Sequence, residues 1–503
     1  MSSALLAIDN KSKIIRIIKS PSFYILFLFA VLYSFISLVN HYNYRTYAFD
    51  LGIYNNCLYQ YGHFHKNHYP YLHNMFTDFL ADHFSLYTVI LSPLHYVFGS
   101  ATLLYVQILS ILIGSIAVYK IVKNTFTQSF LPEIAMIHYL SFFGIYSALA
   151  FDYHDNVVSA MLVPWFFYYF NAGKTRLAIL FAILVVIGKE NMPIWFTFIC
   201  FGLFILHRKD KTKRNFSLVL AISSIIYAIV ILKFVMPNLG EITSNYSHFH
   251  YSILGANLSE LVSNVIHHPL KIIRALYFSH IPGAEFREIK FELYSCLAFS
   301  GGILLVLRPA YSVMLIPIIA QKVLSDDFGK WGISAHYSIE FVPIVVLGFY
   351  DVLSKIKLSK LIYATSILFC ILTIYTTYSK LDIRKSIYYI NTNGDPFLKE
   401  HYQCEFNKRE VKRVMKLIPS NANLSCLSNF APHLSFRKKI YQYPDVHDAE
   451  YVFIARCARP YPIYSSQMEE QISFYLQSKD WETISSQKDI FLFRKKELNS
   501  AQN

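Results

Sequence analysis

The chain contains repeated apolar runs whose length matches the thickness of a lipid bilayer. The first covers residues 23–40 (FYILFLFAVLYSFISLVN), and runs of similar character recur as far as residue 378. A transmembrane helix needs about 20 predominantly apolar residues, with about 17 to 25 as the usual range. Only 16% of the residues are charged, whereas soluble domains usually carry about 25%. The runs therefore predict a polytopic membrane protein and exclude a purely soluble one.

Basic residues between the runs allow the predicted crossings to be ordered. Short loops rich in lysine and arginine usually lie on the cytoplasmic side. Loop 207–214 (HRKDKTKR) and the amino-terminal segment ending at Lys19 are both basic, so we expect an even number of crossings between them. Segment 85–98 is short and contains Pro93 and His95, which favours an interfacial or re-entrant helix. We expect spans at approximately 23–40, 102–121, 131–149, 157–171, 176–188, 192–207, 216–236, 292–308, 310–324, 338–352 and 361–378.

The predicted fold is therefore mostly α. Residues 1–378 are expected to form a polytopic transmembrane helical bundle of about 11 spans, with the amino terminus inside and the carboxyl terminus outside. Its long outer loops are 41–101 and 237–291. Several of the predicted spans are short, and tilt or burial among neighbouring helices accommodates such lengths. The net charge of +14 follows from the basic loops and does not indicate nucleic-acid binding.

Residues 379–503 have a different pattern and predict a small soluble α/β domain on the outer face. Helical periodicity covers 408–419 and 467–478. Strand-like segments are expected at 423–428, 439–444 and 450–455, and in the sequences WETISS and IFLFRK. Cys404, Cys426 and Cys457 would then lie outside, where a disulfide can form. If one forms, we expect it to join Cys426 and Cys457.

Ionisable residues near the ends of the predicted spans concentrate on the outer side. They are Arg45, Asp50, Asp82 and His83 in the first outer loop, Asp152, His154 and Asp155 in the second, Lys189 and Glu190 in the third, and His336 in a later one. Charged groups at membrane depth are costly and indicate a functional site by default. Helix capping and a local ion pair are the structural alternatives. Taken together, we expect the four loops to converge on one cavity.

Six segments resemble, in the expected order, the domain of unknown function 2079 family of bacterial and archaeal membrane proteins. They are YRTYAFDLGIYNNCLY, ADHFSLYTVILSPLHYVFG, FDYHDNVVSAMLVPWFFYY, VIGKENMPIWF, AHYSIEFVPIVVLGFYDVL and IPSNANLSCLSNFAPHLSFRKKIYQYP. That family resembles the C-type glycosyltransferase superfamily, which uses polyprenyl-phosphate-linked sugars. The resemblance places the catalytic aspartate at Asp50 and makes Asp152 or Asp155 the second acid. The superfamily often has an acidic pair at the first position, whereas Leu51 follows Asp50 here.

The resemblance implies an inverting glycosyltransferase at the outer face of the cell (inner) membrane. It would move a sugar from a polyprenyl-phosphate carrier to an unknown acceptor, with Asp50 accepting the acceptor's proton. Cations and hydrogen-bond donors would stabilise the departing lipid phosphate. The predicted substrate-binding set is Arg45, Asp82, His83, His154, Lys189, Glu190 and His336. A divalent metal ion held by Asp50, Asp152 or Asp155 is an alternative source of positive charge.

Two other classes of function are consistent with charged groups at span ends. A transporter or flippase of a lipid-linked or anionic solute predicts ionisable groups near mid-span and discontinuous helices in matched halves. The sequence shows no paired halves. A non-catalytic membrane scaffold would use the outer polar groups only as caps and ion pairs. A shared solvated cavity for Asp50 and the acids of 152–155 would favour the transferase over both.

Overall fold

The structure is a computed structural model that describes residues 19–67, 78–240, 249–256, 258–282, 286–386 and 390–496. Parts of the predicted outer loops 41–101 and 237–291, and the segment before Lys19, lie outside the described residues. The chain divides into two compact units. The helical unit comprises Met1–Ile36, Val106–Leu232 and Asn245–Asp395, and the sheet unit comprises Ser37–Tyr105, Lys233–Ser244 and Pro396–Asn503.

The chain is mostly helical. In chain order the α-helices begin with α1 (Pro21–Tyr42), α2 (Ile53–Gly62), α3 (Phe79–Asp82), α4 (Tyr87–Ile90), α5 (His95–Phe98), α6 (Thr102–Thr125), α7 (Leu131–Leu140), α8 (Phe143–Leu149), α9 (Asp155–Asn171), α10 (Thr175–Val186), α11 (Met192–Leu206) and α12 (Lys211–Val230). They continue with α13 (Met236–Gly240), α14 (Leu258–His267), α15 (Pro269–Tyr277), α16 (Arg287–Phe299), α17 (Pro309–Val323), α18 (Phe341–Leu353), α19 (Ser359–Asp382), α20 (Asn391–Gly394), α21 (Lys408–Met415), α22 (Ala431–Leu434) and α23 (Ser465–Gln477). Short 3-10 turns cover Ser92–Leu94, Gly99–Ala101, Gly302–Leu307, Phe328–Lys330 and Lys399–Tyr402, and π turns cover Ala48–Gly52 and Ile231–Val235.

Four helical segments among the described residues are long and apolar enough to cross a membrane: Pro21–Tyr42, Ser92–Thr125, Lys211–Gly240 and Ser359–Asp382. Shorter apolar helices are α10, α11, α17 and α18. Each of these overlaps a span expected from the sequence. Their outward-facing apolar side chains, such as Leu109 and Ile371, are exposed in the isolated chain, as helices surrounded by lipid require. The fold is that of an integral membrane protein, while the count of eleven spans and their orientation stay predictions.

Two segments predicted as single spans are interrupted. Segment 131–149 breaks between α7 and α8, where Phe142 has an extended backbone with ψ 132°. Segment 292–308 breaks after α16, where Gly301 has φ +95°. A Cβ at Gly301 would approach the Phe349 ring to 2.8 Å, so a larger residue would meet both strain and a clash. Hydrophobicity alone does not locate such breaks, because the segments on both sides of each break are apolar.

Segment 85–98, predicted as an interfacial or re-entrant helix, consists of a series of short helical pieces. These are α4, the turn Ser92–Leu94 and α5. Pro93 lies in the first turn of the middle piece, where its missing N–H costs little. The series then leads through Gly99–Ala101 into the long helix α6.

The sheet unit contains one five-stranded sheet in the order β2-β1-β3-β5-β4. The strands are β1 (Leu424–Cys426), β2 (Ile440–Gln442), β3 (Tyr451–Ala455), β4 (Trp481–Gln487) and β5 (Ile490–Lys495), all of them at predicted positions. The pairs β1–β2 and β1–β3 are parallel, whereas β3–β5 and β4–β5 are antiparallel. Lys488 and Asp489 both have positive φ, which suits the two-residue turn of the β4–β5 hairpin. Helices α21 and α23 match the predicted helices at 408–419 and 467–478.

The expected disulfide between Cys426 and Cys457 is wrong. All seven cysteines are free thiols, and Cys426 is buried in β1. The register pairs Cys426 with Phe453. Cys457 lies four residues beyond Phe453, and an extended strand advances about 3.3 Å per residue. The two cysteines are therefore too far apart for a disulfide, whose Cα atoms lie within about 7 Å of each other.

Candidate functional site

Asp50 of the sheet unit lies at a sharp break in the chain between α1 and α2. Its backbone has φ 76° and ψ −104°, and the preceding Phe49 is extended with ψ 137°. Positive φ at a residue other than glycine is unfavourable, so neighbouring contacts must hold it. Gly52, rather than Asp50, occupies the position that caps α2. The half-buried Asp50 is thus presented on a constrained turn.

Hydrogen bonds from the carboxyl-terminal part of the chain hold this turn in place. The Ala48 N–H donates to Ser428 Oγ at 3.1 Å, and the Asn429 side chain donates to the Tyr44 carbonyl at 2.8 Å. Arg45 was predicted to bind substrate. Its guanidinium donates to the carbonyl of His401, so this cation also anchors the turn.

Helix α2 carries a row of amide side chains that bind main-chain carbonyls of residues 432–438. Asn55 donates to Pro432 at 3.0 Å. Asn56 donates to the carbonyls of Ser435 at 2.9 Å and Arg437 at 3.0 Å, and Gln60 donates to that of Lys438 at 3.0 Å. We call Asn55, Asn56 and Gln60 the amide row. The helix after Asp50 is therefore bound along its length to the sheet-containing part of the chain.

Asp82 and His83 form a second cluster of ionisable side chains in the sheet unit. Asp82 is buried, and its carboxylate lies 3.9 Å from His83 Nε2. Asp78 caps α3 by accepting the Leu80 N–H at 2.9 Å, and it also accepts the Tyr61 hydroxyl at 3.1 Å. Asp78 therefore has a capping role, while Asp82 and His83 stay predicted substrate-binding residues.

In the helical unit, the second outer loop and a later one are joined by two side-chain contacts. The rings of His154 and His336 stack with centroids 3.5 Å apart. The Asn156 side chain donates to Glu340 Oε1 at 2.8 Å. These two loops were predicted to converge, and within this unit they do.

The acids of the second outer loop have identifiable hydrogen-bond environments. Gln107 clamps the loop, since its Nε2 donates to the Asp152 carbonyl at 2.9 Å and its Oε1 accepts the His154 N–H at 3.0 Å. Asp155 is fully buried and accepts the Tyr153 hydroxyl at 2.6 Å. Asp155 is the first residue of α9, where the positive end of the helix dipole stabilises a carboxylate.

A small pocket, partly open to solvent, lies in the helical unit, and we call it the lysine pocket. Its walls carry three lysines, Lys189, Lys322 and Lys330. The other lining residues are Asn156, Asn191, Ile318, Gln321, His336, Tyr337 and Glu340. Two predicted site residues, Lys189 and His336, therefore share a wall with two lysines that the sequence interpretation did not select. Glu190 is buried beside Lys189 in the chain and does not line the pocket.

Lys322 is the most constrained of the three lysines. It is only 2% exposed, and among the described residues its Nζ has no hydrogen-bond partner. Its ammonium lies 5.8 Å from the centroid of the Tyr337 ring, and that of Lys330 lies 5.7 Å from it. A signal for Lys322 exists in the sequence: it is a lysine within a predicted span, and such residues are costly.

The electrostatics of the pocket favour an anion. Burial and the positive charge of Lys189 lower the pKa of Lys330, while Asp327 at 3.9 Å partly opposes them. Among the described residues that line the pocket, Glu340 is the only carboxylate, against three lysine side chains. Such clusters of amines, with a donor such as His336, suit phosphate oxygens.

The described residues do not supply a fitting metal site. They contain no group of three or more His, Cys, Asp or Glu side chains arranged to hold a metal ion. The predicted alternative, a divalent metal on Asp50, Asp152 or Asp155, stays a prediction.

Comparison with known proteins gives a family and a fold. The model of the family described as "Predicted membrane protein (DUF2079)" matches residues 40–492. The crystal structure of ArnT from Cupriavidus metallidurans bound to undecaprenyl phosphate is similar, with a TM-score of 0.52 and 9% identity over 94% of this chain and 98% of that one. The Archaeoglobus fulgidus oligosaccharyltransferase, tethered to an acceptor peptide, has a TM-score of 0.40 and 13% identity over 86% of this chain and 65% of that one. No curated protein sequence matches the chain.

Proposed function

Because the chain belongs to the DUF2079 family of predicted membrane proteins and has the C-type glycosyltransferase fold, we propose that it is a membrane glycosyltransferase. It moves a sugar from a polyprenyl-phosphate carrier to an acceptor at the outer face of the cell membrane. The observation that carries the proposal is the lysine pocket, which offers three ammonium groups in one cavity. The ArnT structure, bound to undecaprenyl phosphate, supports a carrier of that chemical class.

The lysine pocket has the charge that a departing lipid phosphate needs. When the bond between the anomeric carbon and the phosphate oxygen breaks, its electron pair stays on that oxygen, and the phosphate gains one negative charge. Buried cations stabilise this developing charge more than water does, because they are already in place. Lys322 and Lys330 are the principal candidates, with Lys189 and His336 beside them.

Asp50 is the proposed base of the reaction. The acceptor's hydroxyl or amine attacks the anomeric carbon directly, and its proton passes to the carboxylate of Asp50 as the new bond forms. This single displacement inverts the anomeric configuration. The constrained turn supports the proposal, since strain at a non-glycine residue is often retained where function needs one fixed geometry.

The remaining predicted residues take supporting roles in the proposal. Asp152 and Asp155 belong to the loop that presents His154, and His154 holds the ring of His336 by stacking. Arg45 fixes the turn that carries Asp50. Asp82, His83 and Glu190 are proposed as acceptor- or sugar-binding groups.

The test is transfer of labelled sugar in membranes that contain the wild-type chain, Asp50→Asn or Lys322→Met, with a panel of polyprenyl-phosphate sugars. We expect transfer by the wild type and a loss of about 10²-fold or more in each variant. Lys479→Met, an exposed lysine of the sheet unit, is the matched control and should keep full transfer. Equal transfer by all four proteins would overturn the assigned roles. Binding of undecaprenyl phosphate without transfer of any sugar would favour a flippase.

A further inference from the structure

Helix α21 in the sheet unit carries a face that is almost entirely basic. Val411 and Val414 are buried against the sheet-containing domain, while Arg409, Lys412 and Lys416 are exposed and Lys408 is half-buried. We call Lys408, Arg409, Lys412 and Lys416 the basic face. Among the described residues none of these four makes an ion pair with a carboxylate, whereas the neighbouring Arg413 pairs with Glu410 at 2.6 Å. The four charges are therefore available to an external anion.

The basic face lies at the end of a membrane-spanning helix. The ammonium of Lys408 lies 3.8 Å from the centroid of the Tyr42 ring, and that of Lys412 lies 4.9 Å from it. Tyr42 is the last residue of α1, and its side chain is 54% exposed. A tyrosine at the end of a transmembrane helix marks the level of the lipid headgroups. The two cation–π contacts therefore place the basic face at that level.

Two hydrogen bonds to His401 place the surface beside the basic face at the same headgroup level. Asn43 and Arg45, which follow Tyr42 directly, both donate to the carbonyl of His401. Beside His401, the side chain of Tyr402 is 46% exposed and that of Phe397 is 64% exposed. Aromatic side chains next to basic ones are the combination found on surfaces that rest on a bilayer.

We propose that the basic face binds anionic phospholipid headgroups in the leaflet where α1 ends. Clusters of lysine and arginine next to a transmembrane helix attract anionic lipids, and the attraction falls off within a Debye length of the surface. The basic face meets that condition, because Tyr42 holds it at the headgroup level. Binding of a soluble polyanion would not require the basic face to lie at the headgroup level. The proposal is independent of glycosyl transfer and needs only that α1 crosses the membrane.

The probe is phosphatidylglycerol in nanodiscs, with phosphatidylcholine nanodiscs as the uncharged reference. The full-length protein is released from mixed nanodiscs, and the phosphatidylglycerol it retains is measured by native mass spectrometry. We expect the variant K408Q/K412Q/K416Q to retain at least about tenfold less than the wild type. The control K438Q/K479Q/K496Q removes the same charge from exposed positions elsewhere on the sheet unit and should retain as much as the wild type.

Two further measurements protect the test against misfolding of the triple variant. Lys416 does not contact Tyr42, so Lys416→Gln alone should fold normally and retain less phosphatidylglycerol. Added salt should lower the retention by the wild type, since exposed charges are screened. Equal retention by the basic-face and control variants, or retention that salt leaves unchanged, would overturn the proposal.

Discussion

At the scale of single residues, Lys322 destabilises the fold and is also a proposed anion-binding group. A buried ammonium without a hydrogen-bond partner destabilises the folded chain unless an anion arrives to pair with it. Glu340, on the same pocket wall, offsets part of that cost through its opposite charge. Side chains that weaken the fold and serve a site are common in functional pockets.

Removing the charges of Lys322 and Glu340 should affect the stability of the fold and the binding of undecaprenyl phosphate in opposite directions. We expect the double variant K322M/E340Q to be more stable than the wild type by about 1–3 kcal/mol, because it removes two buried groups whose charged forms are costly to bury. It should no longer bind undecaprenyl phosphate. Thermal unfolding and lipid-binding titrations in nanodiscs check the two effects, and a variant that is both less stable and still binds would contradict the prediction.

At Asp50, the effect of the backbone conformation on stability can be separated from the effect of the carboxylate on sugar transfer. Asp50→Gly should relieve the positive φ and stabilise the protein by roughly 1 kcal/mol. It should abolish sugar transfer, because the carboxylate is gone. Denaturant unfolding of the purified protein measures the first effect, with Asp50→Asn as the partner variant that keeps a side chain. A destabilised Asp50→Gly would show that the carboxylate itself holds the turn.

His433 predicts a dependence of stability on pH. Its ring stacks on that of His41 at 4.0 Å and approaches the edge of Tyr44 at 4.8 Å. Burial, together with the charge of Lys412, lowers the pKa of His433 to about 4 from its ordinary 6.5. The unfolded chain therefore takes up a proton at a higher pH than the folded one. Stability contributed by the neutral ring is complete above pH 6.5 and is lost as the pH falls towards about 4.

The measurement is the melting temperature of wild type and His433→Gln over that pH range. The difference between the two proteins should be constant above pH 6.5 and should shift against the wild type as the pH falls. Parallel curves over the whole range would contradict the assigned pKa.

At the scale of elements, the amide row of α2 is the principal link between the turn at Asp50 and the rest of the sheet unit. Asn56 donates to two carbonyls and also accepts a hydrogen bond from the Asn67 side chain at 3.0 Å. Asn56→Ala removes three hydrogen bonds from buried groups, so it should lower the free energy of unfolding by about 1–3 kcal/mol. Gln477→Ala, at an exposed amide of α23, is the control and should change it by less than about 0.5 kcal/mol. Urea unfolding followed by the signal of the sheet unit provides the measurement.

The sequence predicted some of these elements well and others poorly, for physical reasons. Alternation and helical periodicity located the five strands as well as α21 and α23, because each buries one regular face. The partners of Asn55, Asn56 and Gln60 were not predictable, since an amide bound to a distant carbonyl and an amide bound to water look alike in sequence. Lys189 and His336 were selected as site residues from their positions at span ends. Lys322 was not, because a lysine near the end of an apolar run also resembles an ordinary anchor.

At the scale of the whole molecule, the hydrogen bonds of Asn43 and Arg45 to His401 constrain the topology. Residues directly after α1 and residues after 396 belong to one compact unit, and we therefore expect them to lie on the same side of the membrane. This placement predicts an even number of membrane crossings between them. The ten spans predicted after the first one satisfy this condition.

Orientation is the corresponding prediction. We expect alkaline phosphatase fused after Asn503 to be active, because the enzyme folds only outside the cytoplasm, and we expect a fusion within loop 207–214 to be inactive. A reporter that requires the cytoplasm should give the opposite result at both positions. Activity at both positions, or only at the second, would contradict the predicted orientation.

The composition of the sheet unit has a consequence for biosynthesis. Its first part, up to Tyr105, leaves the ribosome about 290 residues before its last part begins at Pro396. About 380 residues separate Asp50 from Ser428, so at a synthesis rate of about 5–20 residues per second the Asp50 turn waits roughly 20 to 75 seconds for the segment that will hold it. During that time the amides of α2 lack their carbonyl partners in residues 432–438. Premature termination after α19 should therefore yield an inserted protein whose first loop is open to proteases.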